Sequence, residues 1–139
     1  MHGIETLKTR IRSGKTVVGA SVRMWSTQSD IDNVMLAYAY DYLAVDAQHS
    51  PFNEENLVNV CKIAGDMGIP VQLRIKHTNF TFLIGNMLDL GPSLIEVPQV
   101  ENMDTVRDAV NNFYYPQQGR RSWGPSGSPQ IDVHPERLE

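Results

Sequence analysis

The run Val45-Asp46-Ala47-Gln48-His49-Ser50-Pro51 sets an acid, an amide, an imidazole and a hydroxyl close together. An apolar segment, Leu43 to Val45, leads into it and a proline closes it. Histidine is the residue type whose unperturbed pKa lies nearest neutrality, and a carboxylate beside it suits proton transfer. Two readings stand at this point. Polar groups spilling from the C-terminal end of a buried strand mark the ligand-facing edge of an α/β protein. The same residues also suit a strand-to-helix turn in which Asp46 and Ser50 only cap backbone groups.

Arg74 sits inside another apolar stretch, Val71-Gln72-Leu73-Arg74-Ile75. A guanidinium there needs a partner, because an unpaired buried charge is very costly. It is either a clamp for a carboxylate or enolate oxygen, or half of an internal ion pair with Asp46 or Asp89. Asp89, in Met87-Leu88-Asp89-Leu90-Gly91, falls at a helix C-terminus, where the helix dipole disfavours a carboxylate. A partner across an interface would hold it there; a plain exposed face is the alternative. His77 follows the Arg74 stretch and is expected to line the same mouth. The loop Tyr115 to Pro125 carries Arg120, Arg121 and Trp123, and reads as an anion site, a lid or a solvated charge run. Asp132, His134 and Glu136 are metal-ligand types at a spacing that matches no established site.

The elements that must position these groups follow from periodicity. Ile4, Leu7 and Ile11 have helical spacing, with Gly14 as the stop. Thr16–Met24 reads as a strand, and Ser26 or Ser29 caps a helix running to about Ala39. Tyr42–Val45 is the second strand. Asn53 caps a helix with Leu57, Val60, Ile63 and Ala64 inward, ended by Gly68. Val71–Ile75 is the third strand, Phe80–Leu90 a helix, and Leu94–Val97 the fourth strand. Met103–Phe113 closes the pattern, with Val106, Ala109, Val110 and Phe113 inward, and residues 114–139 read as loop and tail. Strand and helix alternate four times, which demands a parallel sheet with right-handed crossovers. The strands look apolar on both faces. No Gly-x-Gly-x-x-Gly follows the first strand, which weakens a dinucleotide-binding sheet. Polar groups end every strand: Arg23, then Asp46 and His49, then Arg74 and Lys76, then Gln99. A barrel gathers such ends into one mouth, so the fold class expected is α/β, of the (β/α)8 TIM-barrel type, with about four βα units in a single partial domain over 1–139.

Composition narrows the function classes. The chain has 139 residues, 41% hydrophobic and 20% charged, with a net charge of -4. That is enough apolar material for a core, and the acidic balance argues against a general nucleic-acid or anionic-membrane binder. The lone Cys61 excludes a disulfide framework and reads as a buried structural thiol. No apolar run approaches membrane-spanning length, and residues 1–14 show no secretion signal, so a cytoplasmic protein is expected.

These residues, in order, resemble the HpcH/HpaI aldolase family, metal-dependent class II pyruvate aldolases on a (β/α)8 barrel. The resemblance runs through Ser13-Gly14, Arg23 to Trp25, Val45 to Pro51, Leu73-Arg74, Leu88 to Gly91, Val97-Pro98-Gln99-Val100, and Tyr115-Pro116 with Gly119 and Arg121. It implies that His49 is the catalytic base, acting through a water. Asp46 or Asp89 would orient it, Asp89 coming from a neighbouring subunit. Arg74 would contact pyruvate's oxygens and steady its enolate, and Gln48 would sit in the water network. It implies a divalent ion (Mg2+, Mn2+ or Co2+), a small 2-oxo acid substrate and a homo-oligomer, with no nucleic-acid or membrane partner. Two departures are the missing glycine in Ala37 to Asp41 and Gln99 in place of a methionine. The family's metal ligands come from strands five and six, past this chain's last residue, and a complete barrel takes roughly 250 residues. Two functions are therefore expected in competition: a pyruvate aldolase, or a non-catalytic half-barrel module that self-associates and binds a small carboxylate through Arg74. An open-sheet carboxylate or phosphate binder is a third.

Overall fold

The computed structural model describes residues 6–122. Four parallel strands, β1 (Gly19–Val22), β2 (Tyr42–Asp46), β3 (Val71–Arg74) and β4 (Leu94–Glu96), lie side by side in sequence order. A doubly wound sheet reverses its strand order at a switch point; this one never does. Successive right-handed crossovers that never reverse place the connecting helices on one face, as in a barrel wall. These are α2 (Gln28–Ala37), α3 (Glu54–Asp66) and α4 (Ile84–Asp89), which follows a 3-10 helix over Thr78–Leu83; α1 (Leu7–Arg12) precedes the sheet and α5 (Met103–Phe113) follows it.

The strands alternate, which corrects their reading as apolar on both faces. Leu43, Val45, Val71 and Leu73 are buried against the helices, while Tyr42, Ala44, Asp46, Gln72 and Arg74 are half-exposed on the other face. The core between sheet and helices is completed by Ile31 of α2, by Leu57, Val60 and Ala64 of α3, and by Ile84 and Leu88 of α4. The face away from the helices is the concave one, and it is where polar side chains collect. Gly19 is required there: a Cβ on it would lie 2.3 Å from the Tyr42 ring, which crosses it from the paired strand.

Local chemistry explains the element ends. Asn53 caps α3 by accepting a hydrogen bond from the Asn56 backbone (2.9 Å), and Glu54 and Glu55 occupy the favourable first turn. Thr27, rather than Ser26 or Ser29, caps α2, in a reciprocal box with Asp30. The helix expected over Phe80–Leu90 divides, because His77 caps a tighter 3-10 turn rich in β-branched and aromatic residues before α4 begins. Two apolar stripes are less buried than their periodicity suggests. Val106 and Val110 of α5 are exposed, leaving Ala109 and Phe113 as its core contacts, and α1 buries no residue. No described helix is long and apolar enough to cross a membrane.

Candidate active site

At the C-terminal edge of the sheet, Asp46 and Arg74 stand opposite each other in the β2–β3 register. The guanidinium grips the carboxylate with two bonds: Nε donates to Oδ1 at 2.9 Å, and Nη2 to Oδ2 at 2.6 Å. Of the two readings of Arg74, an internal pair with Asp46 is what the fold builds. The fork geometry still leaves part of a five-donor group uncommitted. Among the described residues, Nη1 of Arg74 makes no hydrogen bond. Arg74 is thus oriented by an acid, with one N–H edge not bonded among the described residues.

Asp46 also shapes the turn that follows. Its Oδ1 accepts from the backbone N–H of Gln48 (2.8 Å) and, more distantly, of His49 (3.4 Å). The capping role was one of the two readings of this acid, and the fold builds it, with the same carboxylate fixing the guanidinium as well. The hydrogen bonds from Arg74 lower the Asp46 pKa to about 2 against the opposing effect of burial, with the two backbone donors adding to the lowering. The same contact raises the Arg74 pKa further. The pair therefore stays charged throughout the physiological range.

His49 projects from this turn as an exposed side chain. Asp46 reaches its main chain, and among the described residues no hydrogen bond is made to its ring. Gln48 is half-buried beside it. Asp89 is not brought to this edge. It ends α4, and the chain then turns through Gly91 into the start of β4, so Asp89 belongs to the opposite end of the sheet. There the nearly buried Arg121 donates to its Oδ1 at 2.5 Å and stacks on Tyr115, 4.7 Å from the ring centroid. Asp89 is thus neither on a plain exposed face nor without an intrachain partner. Arg120 is likewise engaged, with Asp108 at 3.3 Å and Asn112 at 3.4 Å, which corrects the reading of the described part of this loop as an open anion site. His77 spends its Nδ1 on the Asn79 backbone (3.1 Å) as a cap. Asp132, His134 and Glu136, and Trp123 with the rest of that loop, fall outside the described residues.

Glu96 and Gln72 escaped the sequence reading. Glu96 is the register partner of Arg74 on β4, and the Gln72 side chain donates to its Oε2. The alternation of Val71-Gln72-Leu73-Arg74-Ile75 was the available signal, since it assigns Gln72 and Arg74 to one face. Behind the sheet, a cavity of about 220 Å3 is lined by Ala47, Phe52, Leu73, Ile75, Phe80 and Met87 among others. Lys76, one of the polar groups that end the strands, lines it too, whereas Asp46, His49 and Arg74 do not, and its buried Leu73 and Ile75 walls put it on the helix-facing side.

Among the described residues no three His, Cys, Asp or Glu side chains converge as a metal site. Asp46 has both oxygens on Arg74. The residues present do not fit a divalent ion's ligand set, and no chemical step is assigned to one.

A sheet of parallel strands in sequence order, with an acid, a guanidinium and an imidazole at its C-terminal edge, defines part of a (β/α) barrel. The chain belongs to the HpcH/HpaI aldolase/citrate lyase family, whose model matches residues 23–134. It is 29% identical to a hydroxypyruvate/pyruvate aldolase of Roseobacter denitrificans, over 93% of this chain and 51% of that protein. It is also 29% identical to a 2-keto-3-deoxy-L-rhamnonate aldolase of Escherichia coli O17:K52:H18, over 86% of this chain and 43% of the relative. The crystal structure of an HpcH/HpaI aldolase from Desulfitobacterium hafniense superposes with a TM-score of 0.73 at 27% identity, covering 88% of this chain and 47% of that one. The chain spans about half the length of the relatives it matches.

Proposed function

We propose that this chain supplies the base and the cationic clamp of a carbon–carbon lyase that reversibly cleaves a hydroxylated 2-oxo acid to pyruvate and an aldehyde. The observation that carries this reading is the Asp46–Arg74 fork beside the His49 turn, at the edge where barrels hold their ligands. In the cleavage direction His49 accepts the proton of the substrate's C4 hydroxyl. The C3–C4 bond breaks, the aldehyde leaves, and the electron pair becomes the enolate of pyruvate. The free N–H edge of Arg74 faces the negative charge that develops, and its orientation is fixed beforehand by Asp46. Protonation at C3 completes pyruvate. The divalent ion expected of the family would take its ligands from outside residues 6–122, and Gln48 borders the substrate water. Asp89, tied to Arg121 within its own subunit, would reach a base only in a neighbouring copy of the chain. Both named relatives act on monocarboxylic 2-oxo acids, and the same charge class is proposed here.

The test is pyruvate release from 4-hydroxy-2-oxo acids, coupled to lactate dehydrogenase, with and without chelator. It is run on the 139-residue chain alone and joined to the C-terminal portion of the Roseobacter relative beyond the match. The joined protein should turn over, and His49→Ala should cut the rate by about 10²-fold or more. A folded joined protein with no turnover would reject the lyase reading. The second reading, a carboxylate-binding module without catalysis, rests on the Arg74 N–H edge that Asp46 leaves free among the described residues. It predicts pyruvate binding with no turnover in either form.

A further inference from the structure

Arg74 has carboxylates on both sides. Asp46 lies across from it on β2 and Glu96 on β4, each its register partner. The three occupy one row of the concave face, as the Asp46–Arg74 fork and the Gln72–Glu96 hydrogen bond establish. Asp46 is consumed by Arg74. Glu96 is exposed, and Gln72 holds only its Oε2, so among the described residues Oε1 has no partner. One guanidinium thus stands between two acids, with one N–H edge free and a carboxylate oxygen next to it. That arrangement can match one negative group on a ligand. A second one, carried further along the ligand towards β4, meets Glu96, and like charges placed together repel. A hydroxyl in the same place would instead donate to Oε1.

From this row we infer that Glu96 is a specificity-determining residue that selects monocarboxylic, hydroxyl-bearing 2-oxo acids and rejects dicarboxylic ones. The inference rests on the carboxylate-site reading of Arg74 and adds the charge class of the ligand's far end. Gln72 is the positioning residue that holds the Glu96 carboxylate on the concave face.

The test uses the full chain, with binding followed by NMR titration. Pyruvate reports the site itself. 2-Oxopentanoate and 2-oxoglutarate have the same carbon count and differ by a terminal carboxylate. The unaltered chain should prefer 2-oxopentanoate. In Glu96→Gln, which keeps the shape and loses the charge, that preference should fall by about threefold or more. In Glu96→Asp, which keeps the charge, it should persist. An unchanged preference in Glu96→Gln, or an equal fall in Glu96→Asp, overturns the inference while leaving pyruvate binding and the proposed function intact. Failure of the unaltered chain to bind pyruvate overturns the Arg74 site and this inference with it.

Discussion

Arg74 divides its donors between Asp46 and open space, and this division makes it useful. With 31% of one side chain and 25% of the other exposed, water screens the pair, so its contribution lies more in orientation than in stability. Its pH dependence is nonetheless distinctive. The Asp46 pKa is held at about 2, below the roughly 3.9 of an unfolded aspartate. A depressed carboxylate stabilises the fold above the unfolded value and loses that contribution as pH falls through the folded one. The stability difference between the unaltered chain and Asp46→Asn, measured by urea unfolding, should be constant above about pH 5 and shrink towards about pH 2. A difference that instead changes between pH 6 and 8 would contradict the pairing. At this scale the sequence is half legible. The position of Arg74 inside a strand demands a partner, and Asp46 is among the candidates. That Asp89 prefers Arg121 depends on how the 114–122 segment folds back, through Arg121 N–H to the Tyr114 carbonyl at 2.9 Å, and no local pattern encodes this.

Elements follow the sequence most closely where capping and periodicity agree. In α3, Asn53 opens the helix and Leu57, Val60, Cys61 and Ala64 repeat at core spacing. Burial raises the Cys61 pKa to about 12, which makes it the inert structural thiol its position suggests. Gly91 joins this helix to the end of α4. It has φ +122°, and a Cβ there would lie 2.5 Å from the Cys61 Cβ. Gly91→Ala should therefore destabilise the chain by roughly 1–3 kcal/mol in chemical denaturation, since backbone strain and collision act together. A change near zero would mean α3 and α4 can separate at little cost. Where the sequence reading failed, tertiary context was the cause. The stripe of α5 is real, but the sheet offers room only for Ala109 and Phe113, so Val106 and Val110 stay outside. The concave face was missed because short strands with two or three apolar residues look uniformly apolar unless their parity is followed.

The described residues form a four-stranded segment of barrel wall whose edges, β1 and β4, pair with nothing else among them. Exposed strand edges and apolar side chains such as Leu36, Met103 and Val110 favour association. The isolated 139-residue chain should therefore run above its 15.6 kDa monomer mass in size-exclusion chromatography with light scattering. A clean monomer at high concentration would show that the open wall is self-sufficient. The sequential parallel order is what alternating elements and strand-end polar residues anticipate, and it is what brings Asp46, Arg74 and the His49 turn to one edge. The role proposed for this edge is to make and hold the enolate of pyruvate. The most direct measurement is NMR of deuterium exchange into the pyruvate methyl group, catalysed by the chain joined to the remaining barrel of its Roseobacter relative. Exchange should be rapid, and it should fall by about 10²-fold or more in His49→Ala and in Arg74→Ala. Exchange that survives undiminished in both variants would contradict the account.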